Sequence, residues 1–317
     1  MIAGAIDFGG TKLMVGLVDD AGHVLTSETV PTPRQSGPHG VADAAVAMLG
    51  AMLSSRNLAW RDLAGVGSTV PALADAAKGV MVYAPAHGWR DVPFAAMLEA
   101  RTGLTARIAN DVNACAIAER RFGKARGASD FAWVTVSTGI GGGLMLNGEV
   151  FEGQRGLAGE VGQIVVEENG ARVGGPAGSL EATAAGPAIA RRAREAGLNV
   201  QNAMEVATLA RDGDAVARKV MSDTGMFLAR GLATLVNLLD LDLIVLGGGV
   251  IRSLDLLEPT LSKTLRERIV MPDERPLRLE VTALGYEAGL IGAASLILEP
   301  HLKQRDLERV NSTSEEL

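Results

Sequence analysis

Two stretches of this chain set a strand, a glycine-rich turn, a second strand and a hairpin in the same order, and this repeat limits the possible folds more than any other feature. In the first, apolar Met1–Ile6 runs into Asp7-Phe8-Gly9-Gly10-Thr11-Lys12, apolar residues then recur through Leu13–Val18, and Asp19-Asp20-Ala21-Gly22 turns the chain back. A Walker loop has a longer spacing and opens a helix, as does a dinucleotide fingerprint. This loop lies between strands instead. Paired glycines let backbone N–H groups approach a polyanion; Gly9, Gly10, Thr11 and Lys12 form a candidate phosphate cradle, with Asp7 placed to hold a hydrated Mg²⁺. Taken alone, the same residues also make an ordinary tight hairpin turn.

The second stretch has strand Phe131–Val136, loop Ser137-Thr138-Gly139-Ile140-Gly141-Gly142-Gly143, strand Leu144–Leu146 and an Asn147-Gly148 turn. Around these lie helix patterns at Val41–Leu53, Ala114–Phe122, Pro187–Ala196, Ala203–Arg211 and Val216–Leu239. Short apolar strands are expected at Leu63–Gly67, ending in a glycine-rich turn, at Arg107–Ala109 and at Leu243–Leu246. The alternation predicts an α/β protein with two mixed sheets, each mostly parallel with an antiparallel hairpin at its edge. The polar end from Gln304 to Leu317 is expected to fray.

Composition narrows the function classes. With 317 residues, 47% of them hydrophobic, there is enough chain for two cored domains, and a net charge of −7 opposes a nucleic-acid surface. Arg191, Arg192 and Arg194 fall on a helical pattern, where a solvated face is the expected reading. Cys115 is the only cysteine, so neither an intramolecular disulfide nor a cysteine-rich zinc site can form. That usage, and the absence of a signal-type segment or long apolar run, leads us to expect a cytoplasmic protein that neither crosses nor binds a membrane.

Several residues carry candidate chemistry. Two glycine loops in equivalent places, the second contributing Thr138 and Gly139, suit the phosphates of a nucleotide triphosphate. Gly247-Gly248-Gly249 follows an apolar strand and precedes a helix, where Gly248 and Gly249 suit a sugar and phosphate equally with close backbone packing. Gly285, Gly289 and Gly292 pose the same choice between a floor beneath a base and packing. Asp111 opens a helix after a strand, where the helix dipole favours an ionised carboxylate able to act as general base; an N-cap role is the alternative. With Asn110, Glu160 and Glu181 it would make a polyol pocket, although each glutamate taken singly also suits a solvated surface. Asp223-Thr224-Gly225 has no second copy and sits in a helical stretch, so an aspartic-protease reading is dropped.

The first loop, Asn110-Asp111, the second loop with Asn147-Gly148-Glu149, Gly159-Glu160-Val161-Gly162, Gly178-Ser179-Leu180-Glu181 and Leu246-Gly247-Gly248-Gly249 together resemble the ROK family of bacterial sugar kinases and sugar-responsive repressors, over about Ile2 to Leu298. The resemblance implies the actin/hexokinase-like fold, with two RNase-H-like lobes closing over ATP-Mg²⁺ and a hexose, usually in a homodimer. The lobes would comprise residues 1–113, completed by a helix at about 294–317, and residues 114–293. It implies ATP-dependent phosphorylation of a glucose-type sugar or N-acetylhexosamine on its primary hydroxyl, with Asp111 as base and Asn110, Glu160 and Glu181 on the sugar.

Departures from the family pattern cluster on the sugar side. The family's zinc- and sugar-binding histidine is replaced by Gln163, and its three cysteines by Arg172, Gly174 and Ser179, so no zinc site is expected. A sugar-binding asparagine is likewise replaced by Ala86 in Pro85-Ala86-His87-Gly88-Trp89. Gln163 remains a candidate sugar contact. Repressors of the family carry a helix-turn-helix before the first loop; six residues precede Asp7 here, so DNA binding is not expected, and a sugar sensor with little turnover is the remaining alternative.

Overall fold

In the computed structural model, which describes residues 1–298, strand β1 (Ile2–Phe8) turns Ile6 and Phe8 to one core and Ala3 and Ala5 to another, the period of two that a strand imposes. β2 (Lys12–Asp19) and β3 (Val24–Pro31) return antiparallel beside it. After helix α1 (Gly37–Ser55), β4 (Leu63–Val70) pairs parallel with β1, and β8 (Ala106–Asn110) pairs parallel with β4. The sheet order is therefore β3-β2-β1-β4-β8, a hairpin attached to three parallel strands. Helix α2 (Phe94–Thr102) precedes β8, and α3 (Asp111–Phe122) follows it directly.

The second sheet has the same plan. β9 (Phe131–Val136), β10 (Ile140–Leu146) and β11 (Glu149–Val150) form its antiparallel part, and Asn147 (φ 55°) with Gly148 (φ 77°) makes the left-handed two-residue turn that an Asn-Gly pair predicts. Short helix α4 (Leu180–Ala184) is followed by α5 (Gly186–Glu195), α6 (Ala203–Arg211) and α7 (Ala215–Leu239). β12 (Leu243–Gly247) pairs parallel with β9, α8 (Leu254–Arg268) follows, and β13 (Arg278–Val281) closes the order β11-β10-β9-β12-β13. The final described helix is α9 (Ala288–Leu298).

The chain divides into one unit of Met1–Phe122 with the segment from Tyr286, and a second of Gly123–Gly285. These bounds differ from the 113 and 293 expected with the resemblance. Helix α3 and the start of α9 belong with the first unit because they pack together, Gly292 lying so close to Ala114 that a Cβ would stand 2.8 Å from its backbone. Of the helix expected at about 294–317, α9 covers the part up to Leu298; the remainder, including the stretch from Gln304, lies outside the described residues.

Two expectations are corrected. Leu63–Gly67 does not end in a turn: β4 continues to Val70, and Gly67 is the point where α9 crosses the sheet, a Cβ there falling 1.8 Å from Ala293 O. Between β4 and α2 the chain also builds an antiparallel sheet not expected from sequence, β5 (Leu73–Asp75), β6 (Val80–Ala84) and β7 (Trp89–Val92). No described helix is long and apolar enough to cross a membrane.

Candidate active site

In the first unit the glycine loop is only Gly9-Gly10-Thr11, because β1 persists through Phe8 and β2 begins at Lys12. Gly9 N–H donates to Lys12 O (2.9 Å), while Thr32 fixes the loop from outside, its N–H donating to Thr11 O (3.0 Å) and its hydroxyl to Gly9 O (2.8 Å). Among the described residues nothing accepts from the N–H groups of Gly10 and Thr11, which leaves two donors for an anion. Lys12 lies 5.6 Å from the Tyr286 ring centroid. A second cation, Arg34, reaches the loop, with a Cβ on Gly10 falling 3.7 Å from its Nη2. Sequence reasoning missed Arg34; the available signal was a basic residue in the loop just after the hairpin.

Asp7 accepts a hydrogen bond from Thr69 Oγ1 at 2.6 Å, and its carboxylate presses on Gly289, where a Cβ would lie 2.5 Å from Oδ2. Gly289 and Gly292 thus serve close packing. Burial pushes the Asp7 carboxyl above its ordinary value, partly opposed by Thr69. The parallel register aligns Asp7 with Thr69 and Thr69 with Ala109, one residue before Asn110. Asp7 and Asn110-Asp111 therefore share the carboxyl edge of one sheet, two strands or about 10 Å apart.

Asp111 is the first residue of α3 and is exposed, as a group that meets substrate must be. Val112 N–H donates to both Asn110 Oδ1 (3.1 Å) and Asp111 Oδ1 (3.0 Å), so capping is shared between the two side chains. Asn110 Nδ2 donates to Ala72 O at 3.2 Å, tying the end of β8 to the small sheet. Cys115, one turn after Asp111, is buried, and burial followed by the charges of Asp7, Asp111 and Glu119 pushes its thiol well up. In the β6–β7 turn, the His87 ring stacks on Phe8 (5.5 Å between centroids) and on Trp89 (4.6 Å). Its buried Nε2 has no partner among the described residues.

In the second unit, Ser137, Thr138 and Gly139 join β9 to β10, while Gly141–Gly143, expected in the loop, lie within β10. Glu181, near the start of α4, accepts from Ile140 N–H at 2.9 Å through Oε2, and a Cβ on Gly139 would stand 2.6 Å from that oxygen. Glycines 159 and 162 lay their segment along β10: a Cβ at either would fall 2.2 Å from Gly142 O or Ile140 O respectively. Glu160 is exposed between them. Gly248, at φ 92°, abuts the Val136 backbone, where a Cβ would come within 2.4 Å of Val136 O; Gly249 opens the helical turn that follows.

Gln163 turns its amide inward, with buried Oε1 unpartnered among the described residues and a Cβ on Gly175 falling 1.8 Å from it. Past it the chain closes on itself. Val166 N–H (2.9 Å) and Glu167 N–H (3.1 Å) donate to Gly178 O, Gly178 N–H donates to Ala171 O (2.9 Å), and Leu180 N–H donates to Ile164 O (2.8 Å). Ser179 is buried and caps α4, its Oγ accepting from Ala182 N–H at 3.3 Å. Among the described residues no group of three or more His, Cys, Asp or Glu is placed to hold a metal ion. A single carboxylate such as that of Asp7 suits a cation that keeps most of its own water shell.

Of the solvated face expected at Arg191, Arg192 and Arg194, Arg194 is exposed, whereas Arg191 and Arg192 are half-buried. Arg192, with its side chain 16% exposed, donates to Thr183 O (3.2 Å) and Thr224 Oγ1 (3.1 Å), Arg191 donates to Ala182 O (2.7 Å), and Arg194 donates to Val200 O (3.2 Å). Helix α4 is one turn long, so its carbonyls have no following turn to bond them, and Arg191 and Arg192 take that place. Asp223-Thr224-Gly225 lies inside α7 with Asp223 paired to Lys219 at 2.9 Å.

Two sheets of one plan, each with a glycine loop after its first long strand, define the actin/hexokinase-like fold. A solved ROK glucokinase from Streptomyces griseus, in complex with glucose and AMPPNP, has the same fold at a TM-score of 0.77 and 30% identity, covering 93% of this chain and 99% of that one. Curated relatives include a glucokinase of Streptomyces coelicolor, 32% identical over 93% of this chain and 97% of that protein. An N-acetylmannosamine kinase of Salmonella typhi is 30% identical over 92% and 97%. The ROK family model matches residues 3–299, and the chain belongs to the ROK family.

Proposed function

We propose that this protein transfers the γ-phosphoryl group of ATP to the primary hydroxyl of a hexose, glucose-type or N-acetylhexosamine, with Asp111 as general base. It is an ATP-dependent sugar kinase, as its family and its glucokinase and N-acetylmannosamine kinase relatives indicate. The observation that carries the assignment of the base is an exposed carboxylate at the first position of α3, on the same sheet edge as Asp7 and the glycine loop.

Asp111 takes the hydroxyl proton as that oxygen attacks the γ-phosphorus; the bond from phosphorus to the bridging oxygen breaks and ADP leaves. Gly10 and Thr11 N–H groups with Lys12 and Arg34 hold phosphate oxygens, and Gly9 shapes the loop. Thr138, Gly139, Gly248 and Gly249 are the ATP contacts of the second unit. Mg²⁺, held by Asp7 through water, would neutralise charge on the phosphates. Asn110, Glu160, Gln163 and Glu181 contact the sugar. One N–H of the Asn110 amide remains beyond its bond to Ala72.

The protein is proposed to work as a cytoplasmic homodimer without zinc, since Gln163, Arg172, Gly174 and Ser179 stand where the family's zinc ligands would be. The test of function is ADP release with ATP-Mg²⁺ and a panel of glucose, mannose, fructose, allose and their N-acetylamino relatives. Saturable turnover with at least one is expected. Tight sugar binding without turnover of any would replace the kinase reading with a sensor.

A further inference from the structure

Phe227 of α7, 5% exposed, carries two guanidinium groups over its ring, Arg192 at 4.9 Å and Arg230 at 5.6 Å from the centroid. Each reaches from there to a different end of one segment. Arg230 Nη1 donates to Val166 O at 2.8 Å, three residues beyond Gln163. Arg192 Nη1 donates to Thr183 O at 3.2 Å, two residues beyond Glu181. Asp223, 3.4 Å from Arg192, supplies the opposing charge, and Arg230 Nη2 lies 3.6 Å from Met226 Sδ. Between these anchors the segment bonds to itself through Gly178 and Leu180, and outside itself at Glu181, which accepts from Ile140 N–H, and at Ala182 O, which accepts from Arg191. Besides the tie of Glu181 to Ile140, the two candidate sugar contacts therefore have a support in common, an aromatic ring with two cations.

Such an arrangement suits a load-free clamp, because a guanidinium over a desolvated ring gains cation–π attraction while its N–H fork stays directed at carbonyl oxygens. We propose that Arg192 and Arg230 are positioning residues that hold Gln163 and Glu181 in place for the sugar through Phe227. The inference rests on the reading that Gln163 and Glu181 contact the sugar.

The test replaces Arg230 with Met, which keeps the apolar stem and removes the donors, and with Lys, whose ammonium can still reach Val166 O. Steady-state kinetics with sugar and ATP varied separately are combined with amide hydrogen exchange. For Arg230→Met the sugar KM should rise by about tenfold or more, the order expected for displaced substrate-positioning groups. ATP KM should hold, exchange should quicken within residues 165–180, and Arg230→Lys should recover most of both changes. Phe227→Leu, which removes the shared ring but keeps an apolar side chain, should give the same split and serves if Arg230→Met does not fold. Wild-type exchange and sugar KM in both Arg230→Met and Phe227→Leu would overturn the proposal. Faster exchange with an unchanged sugar KM would keep the clamp and remove the sugar-contact reading of Gln163 and Glu181.

Discussion

Glu181 Oε2 accepts the backbone N–H of Ile140 at 2.9 Å, joining a candidate sugar contact to the first residue of β10, just after the second glycine loop. Ile140 is 5% exposed, so removing the acceptor strands a buried donor. Glu181→Ala should cost about 1–3 kcal/mol of stability on that ground. It should also raise both the sugar KM and the ATP KM, because Thr138 and Gly139 lose their neighbour's tether. Glu181→Gln keeps an acceptor and should retain the wild-type melting temperature while raising the sugar KM alone. Thermal melts and two-substrate kinetics separate these outcomes; an unchanged ATP KM in Glu181→Ala would break the link to the loop.

Asp7 is a place where function and stability pull apart. Its carboxyl is pushed above the ordinary 3.8 chiefly by burial, so the ionised form burdens the folded state at neutral pH. That burden is full above the raised native value and vanishes as pH falls below 3.8. Asp7→Asn can still accept from Thr69 and should melt at or above the wild-type temperature at pH 7, while needing more Mg²⁺ for turnover. A lower melting temperature, or an unchanged Mg²⁺ requirement, would count against this account of Asp7.

His87 gives the opposite pH window. Burial first, and the Arg34 charge second, hold its imidazole below the ordinary 6.5, with Phe8 and Trp89 stacked against it. The unfolded chain therefore binds the proton more readily than the folded one. The contribution to stability is full above 6.5, declines as pH falls through that value, and is lost below the depressed native value. His87→Phe keeps the stack and should flatten the fall in melting temperature below pH 6.5 relative to wild type. Identical pH profiles for the two proteins would remove His87 as a source of acid sensitivity.

How much of this was legible in the sequence depends on how local each signal is. β1, β2 and β9 follow from apolar periodicity, and the Asn147-Gly148 turn needs only its own two residues. Gly67 misled because its reason is remote: it makes room for Ala293, more than two hundred residues away, inside a strand. The strands β5 to β7 are short and broken by Pro, Gly and Ala, too brief for a period to show. Arg192 has the composition of a solvated residue, and only its partners on α4 and α7 bury it. The candidate base was legible, as a carboxylate where a strand meets a helix. What the sequence did not disclose is that Gln163 Oε1 faces Gly175 and that Glu181 is already bound to Ile140.

The central claim is that Asp111 removes the sugar's proton. The most direct measurement is the turnover number of Asp111→Asn with ATP-Mg²⁺ and whichever sugar the wild-type protein uses fastest, alongside its ATP KM and circular dichroism. Loss of a general base costs about 10² to 10⁴ in rate, so kcat should fall by at least two orders of magnitude while the ATP KM and the spectrum hold. A folded Asp111→Asn protein with near-wild-type turnover would contradict the assignment.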